Sequence, residues 1–555
     1  MSTSRLIPIL ALALLGTTAP LLASEGSMHD GMPGHSGMVP LFADRGSYHM
    51  DISTSSPEAQ RYFDQGMRLM FGFNLEEAER SFEKAEELDS TCAMCAWGTA
   101  FSLGPHINLP GMPDRTVKAN AAVRRASRRS GSATPLEQSL IGAMTKRYAD
   151  PAPTQAEDQA TLDRAYADAM HAVMERFPDN ADVCTLWAEA AMDVHPWDLY
   201  DSAQEPRPWT PEIVAALEKA LSIRPDHLGA NHFYIHAVEA SRTPERAMPS
   251  ARRLETLSPG EPHLVHMPAH IFQRLGMYDS SSAANRLAIK ADDRYRAAMN
   301  PQGFYMMYSA HNHQFLMWSC WMSGRYEESL HEARGALGLF SIEMMRAMPG
   351  WDFTLDYPVW TYVRFGKWRA LLDEPAPSPE FGYARGAWHA ARAIARASLG
   401  EISEAATERD SALALAAALP ADAFEGFNAS STLMSIATDL ARGLILAKQG
   451  DHAGAVKWLT HAVATEDQLR YDEPSDWYLP TRHALGAELL AAGRVDEAQR
   501  VYEEDLKRNP GNGWALAGLS RCLRARHKPR DAALAEARAD KAWRDADVKP
   551  IASWY

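Results

Sequence analysis

A chain of 555 residues is longer than one ordinary globular core supports, so several domains or a repeat array are expected. Its formal net charge of −15 argues against nucleic acid or any other polyanion as a partner. Five cysteines are too few and too scattered for a dense disulfide framework, and abundant alanine with scarce β-branched runs favours helix over strand.

The chain opens on MSTSRLIPILALALLGTTAPLLASEG. Arg5, the apolar run and the small residues near Ala23 and Ser24 read as a secretory signal over residues 1–24. The run is too short and interrupted for a spanning helix, and no later window is apolar enough to cross a bilayer. The expectation is an exported protein, periplasmic or secreted, with no membrane span. Residues 25–56 follow as a Met/His-rich flexible segment, of which residues 25–45 should not pack on the rest. In it Met28, Met32 and Met38 alternate with His29 and His35. Thioether with imidazole suits copper, Cu(I) above all; the alternative is a biased tail with no ligand.

From residue 57 to 540 the pattern is helical and repeats. FGFNLEEAERSFEKAEELD carries Ala78, Phe82 and Ala85. CAMC, with Cys92 and Cys95, lacks a following histidine and is no haem attachment site. A local disulfide or two buried thiols are one reading, a redox or metal pair the other. RRASRR, Arg124 to Arg129, reads as a solvated helix face. A helix starting near Ala181 carries Glu189 and Asp193, and HPWDLYDSAQEPRPW interrupts the pattern after it.

Two segments, IVAALEKALSIRPDH and AMPSARRLETLSPGEPH, then end on Pro225 and Pro259, 34 residues apart. The helices that follow begin near Leu228 and Pro262. Counted from those starts, His232 and His266 share the fifth position, and His236 and His270 the ninth. Glu239 is at the twelfth and His263 at the second. Steps of four and seven return to one helix face, so His232, His236 and Glu239 project together, as do His266 and His270. Pro268, inside the second helix, removes a backbone bond and predicts a kink there. The next repeat, indexed on Gly324, supplies His311 with His313 close by. The one after, indexed on Gly366, supplies Asp356 and Trp360. Beyond it the equivalent residues, Ala390, Ile394, Leu440 and Leu444, are apolar. LDEPAPSPEFGY and YDEPSDWYLP read as proline-rich connectors, and residues 541–555 as a C-terminal tail.

The last repeats, RHALGAELLAAGRVDEAQRVYEEDLKRNPGNGWALAGL, set Leu485, Gly486, Gly493, Ala498, Tyr502 and Pro510 in a pattern that resembles the tetratricopeptide repeat (TPR) family. CAMCAWG, HFYIHAVEAS and HMPAHIFQRLGMY resemble an exported bacterial branch of it. The resemblance implies an all-α, TPR-type α-solenoid of about a dozen antiparallel helix pairs, in which these first-helix positions line a concave groove. His232, His236, Glu239, His263, His266, His270, His311 and Glu189, with Asp193 near by, then face one hollow. Neutral imidazoles beside carboxylates are a transition-metal set, copper or zinc, and adjacent helices pack close enough to share one ion. The alternative is a scaffold without metal whose groove holds a protein or peptide. No G-x-S-x-G, P-loop, dinucleotide fingerprint or H-E-x-x-H is present, so no catalytic residue is assigned.

Overall fold

The computed structural model describes residues 39–153, 155–301, 303–347, 350–548 and 552–555. The proposed signal and the Met28, His29, Met32, His35 and Met38 cluster lie outside them. Among the described residues the fold is all-α. It has 26 α-helices and three short 3-10 segments, and its strands are a two-residue pair, Phe424–Glu425 with Asn428–Ala429.

The chain forms two units. The first holds the described residues up to Leu199 together with Trp209–Tyr234; the second holds Tyr200–Pro208 and Ile235–Tyr555. In the first, short turns set helices side by side. Pro57–Phe71 lies on Leu75–Leu88, Ala93–Ser102 on Pro113–Arg129, and Ala181–Val194 between Ala156–Arg176 and Thr210–Ile223. Local signals start these helices. Ser56 caps the first by accepting from the Ala59 N–H, with Pro57 in its first turn. Thr134 and Glu137 form a capping box at another.

Small residues let the helices approach. Phe82 fills the space that a Cβ on Gly66 or Gly98 would need, its ring lying 2.5 Å and 2.3 Å from those positions. In the second unit Tyr502 does the same between Gly486 and Gly518, at 2.4 Å and 2.2 Å. In both trios the aromatic follows the first glycine by 16 residues and the second glycine follows by 32 (82 − 66, 98 − 66; 502 − 486, 518 − 486). The same supersecondary unit is therefore built twice from one sequence grammar. The second unit continues it with pairs such as Gly382–Ser398 on Ile402–Ala418 and Ser430–Lys448 on His452–Glu466, around one long apolar core.

Two expectations need correction. Residues 39–45 are not a free tail. The Phe42 N–H donates to Gln65 Oε1 and Gln65 Nε2 to the Pro40 carbonyl, both at 2.8 Å, and the Tyr62 hydroxyl reaches the Val39 carbonyl. Farther along, Ser53 bonds the buried Glu137 carboxylate through N–H and hydroxyl. Buried Gln65 and Glu137 need partners, and this segment supplies them. Nor is the C-terminal end loose: Asp547 accepts from the N–H groups of Tyr326 and Glu327, Trp543 is buried, and Ser553 bonds the His483 carbonyl.

Candidate metal centre

In the second unit the end of one helix, two short helical segments and a fourth helix bring histidines together. His236 and Glu239 end the helix Leu228–Glu239. His263 and His266 lie on Pro262–His266, and His270 on Pro268–Arg274. His311 lies on Tyr305–Ser323. At Pro268, which has no N–H to continue the ladder, the hydrogen bonding is interrupted, while Met267 keeps α-helical backbone angles.

The Nε2 atoms of His266 and His270 face each other at 2.8 Å. The far nitrogen of each ring is held. His266 Nδ1 lies 2.6 Å from Asn285 Oδ1, and His270 Nδ1 lies 2.5 Å from Glu239 Oε2. Asn285 spends its amide N–H on the Ser281 carbonyl, so its oxygen is the atom that faces His266, and His266 donates from Nδ1. Glu239 Oε1 accepts from His236 Nδ1 at 2.7 Å, so one carboxylate orients two imidazoles. Phe315 meets the rings of His266 and His311 edge-on and that of His270 at a tilt, giving the cluster an apolar wall.

Burial and charge set the protonation states. Burial lowers His236, His266 and His311, the last to about 3, so these imidazoles are neutral. For His270 burial is outweighed by the Glu239 charge, and its pKa is raised. Burial would raise Glu239, but the charge of His270 and the bonds from His236 and His270 hold it well below the usual carboxylate range. With His270 holding its proton, the 2.8 Å contact is a hydrogen bond from its Nε2–H to the His266 lone pair, and a cation would take that proton's place between the two rings with the Glu239 anion behind.

Two ligand sets are placed to hold such a cation within this unit: His266, His270 and His311, and His236, Glu239 and His270. In each, one ligand atom per residue lies within 4.8 Å of the others. The first fits a transition metal better. Nitrogens bound tetrahedrally at about 2.05 Å stand about 3.3 Å apart, so the His266–His270 pair needs to open by only about 0.5 Å. In the second, both Nδ1 atoms already donate to Glu239. That is the orienting role such carboxylates have behind metal-bound histidines, rather than direct ligation.

The other expected residues sit differently. His263 stands beside the set, its ring 5.8 Å from that of His266 and 4.9 Å from Tyr308. His313 pairs with Glu332 at 2.6 Å. His232 belongs to the first unit, where its Nδ1 bonds the Phe71 carbonyl at 2.7 Å and its ring packs on Phe73. Glu189 is also in the first unit. Burial raises the pKa values of Glu189 and Asp193, which share a site against the fully buried Arg147, and Arg147 Nη2 meets Asp193 at 2.5 Å. That pair has a structural partner of its own.

The histidines do not line an open groove, as the repeat register implied. His232, His236, Glu239, His263, His266 and His270 are each at most 6% exposed. Sequence reading also missed Asn285, Tyr471 and Glu473. The Tyr471 hydroxyl donates its one proton to Glu473 and stands 3.4 Å from Glu239 Oε2; the other Glu473 oxygen takes the Gln273 amide at 2.9 Å. Three acids and three aromatics inside a proline connector, YDEPSDWYLP, were the available signal.

No family model and no curated protein matches the chain. Solved structures with a similar course include the human IFIT1 dimer with m7Gppp-AAAA, at 13% identity and a TM-score of 0.33, covering 88% of this chain and 91% of that one. The yeast Tom70 structure is 10% identical with a TM-score of 0.28, covering 89% and 91%. The P58(IPK) TPR domain is 12% identical with a TM-score of 0.23, covering 85% and 98%. The fold of the described residues is all-α, built of helix pairs. No helix among the described residues is long and apolar enough to cross a membrane.

Proposed function

We propose that this is an exported TPR-like protein whose second unit binds one transition-metal ion, copper or zinc, at His266, His270 and His311, with Glu239 and Asn285 orienting the ligands. The observation that carries the reading is the 2.8 Å approach of the His266 and His270 Nε2 atoms, each ring fixed from behind by a dedicated acceptor. A bound ion would supply Lewis acidity and a fixed positive charge. The chain's own residues hold the lone pairs in place, keep the anionic Glu239 behind them, and set the apolar wall of Phe315 against them. The depth of the histidines favours an ion over a peptide, which needs an open surface; a protein partner for the helical repeats is the second reading.

Export is supported by the leader-like start and by the Cys92–Cys95 disulfide, which suits an oxidising compartment. The Met28, Met32, Met38, His29 and His35 tail supports copper over zinc. The test is elemental analysis of protein purified without chelators or metal-affinity resin. Wild type is expected to carry close to one ion per chain and a His266→Ala/His270→Ala double variant far less. Equal metal content in the two would remove the reading.

A further inference from the structure

His266 and His270 are buried while His311 is only half-buried, so an ion reaching the first two rings needs a way in. The segment that bears on the centre without being helical is the connector of residues 470–480, between the helices His452–Glu466 and Arg482–Ala491. Connectors usually run over the surface because their backbone needs solvent. Here Glu473, Asp476, Trp477, Tyr478 and Leu479 are buried.

The connector is held at both ends. Its far end is tied to the core: Trp318 Nε1 donates to the Tyr478 carbonyl at 3.0 Å, and the Tyr478 hydroxyl to Asp356 at 3.0 Å. Its near end is tied to Asn428, whose side-chain oxygen accepts from the Arg470 N–H at 2.9 Å, and between the two anchors the connector touches the histidine centre through side chains. The Tyr471 hydroxyl bonds Glu473 and stands 3.4 Å from Glu239 Oε2, the oxygen that holds His270; Glu473 bonds Gln273 on the helix that carries His270. Arg274, which itself bonds the Glu239 carbonyl at 2.9 Å, lies with its guanidinium 5.6 Å from the centre of the Tyr471 ring. Two anchored ends with side-chain contacts between them are the parts of a strap across the centre.

We propose that residues 470–480 are a strap that closes the histidine centre, with Tyr471 as its latch and Glu473 as the latch's second hold. This deepens the metal reading, naming the element that governs passage of the ion to and from His266 and His270, and it rests on that reading for its purpose. The strap itself is testable without metal. In metal-free full-length protein, diethyl pyrocarbonate should modify His270 slowly. Tyr471→Phe, which keeps the ring and removes the latch, should raise that rate at least ten-fold, as should Glu473→Gln. Tyr502→Phe, which loses a buried hydroxyl bonded to Ser553, should leave it unchanged. In metal-loaded protein, Tyr471→Phe should speed ion loss to a chelator by a similar factor while the equilibrium stoichiometry stays the same. Modification at the wild-type rate in Tyr471→Phe overturns the strap. So does loss of the ion at equilibrium with unchanged modification, which would make Tyr471 a ligand-orienting residue. A wild type that never holds metal overturns the metal reading alone, because the modification rates still decide the strap.

Discussion

Glu239 and His270 are bonded across a repeat boundary: Oε2 of the first accepts from Nδ1 of the second at 2.5 Å, while Oε1 takes His236. A carboxylate can accept from both rings, and a carboxamide can accept with only one of its two heteroatoms. Glu239→Gln should therefore leave one imidazole misdirected. The expected outcome is a 10–100-fold weaker metal affinity by calorimetry, with the stoichiometry kept at saturation. An affinity equal to wild type would show that Glu239 does not orient the ligands.

Bound metal should also stabilise the fold by mass action, by about 2.7 kcal/mol at a free ion concentration of 100 Kd. Thermal unfolding with and without the ion measures this. The shift should survive His452→Ala, whose ring lies elsewhere and bonds Glu488, and vanish in His270→Ala. His270→Ala should be less stable even without metal, since it strips Glu239 and His266 of buried partners. A metal-induced shift of wild-type size in His270→Ala would contradict the assignment.

Asp292 gives a pH signature away from the ligands. It is buried beneath Tyr305 and Asn312, which donate at 2.7 Å each, and burial outweighs those bonds to push its carboxyl up to about 6 from an ordinary 3.8. The unfolded chain gives up this proton near 3.8 and the folded chain near 6. The native state thus holds the extra proton between them. Stability falls as pH rises through this window, by on the order of 3 kcal/mol, and stays lower above it. Carboxyl NMR should find the midpoint near 6, and Tyr305→Phe should move it higher; a midpoint near 4 would refute the account.

In the first unit Arg147 is fully buried with Asp193 at 2.5 Å and Asp163 at 3.9 Å. Arg147→Ala should destabilise by about 3–5 kcal/mol in denaturant titration, because it strands buried carboxyls. Glu189→Gln, which removes one of two groups competing for a proton, should cost far less. Similar losses for both would mean that Glu189 is ionised and essential to the pair.

Sequence by itself determined the helices, their register and the histidine-rich repeats. Pro225 and Pro259 mark helix ends, Leu228 and Pro262 begin the next helices, and the glycine–aromatic–glycine spacing recurs in both units. Turn residues and 34-residue periodicity are local properties, and a sequence states them directly. It also named His236, Glu239, His266, His270 and His311, because helical spacing fixes which side chains share a face. Tertiary structure decided the rest. Whether that face is a groove or an interior depends on what covers it, and part of the cover, Tyr471 and Glu473, meets Glu239 and Gln273 across 232 and 200 residues, from a segment with no periodicity to read. The same holds for Asn285, for Glu239 as an orienting group, and for His232 and Glu189, whose partners Phe71 and Arg147 belong to other helices or turns of the first unit. Helix faces are written in the near sequence; the direction in which an imidazole spends its two nitrogens is set only by the groups that folding brings against it.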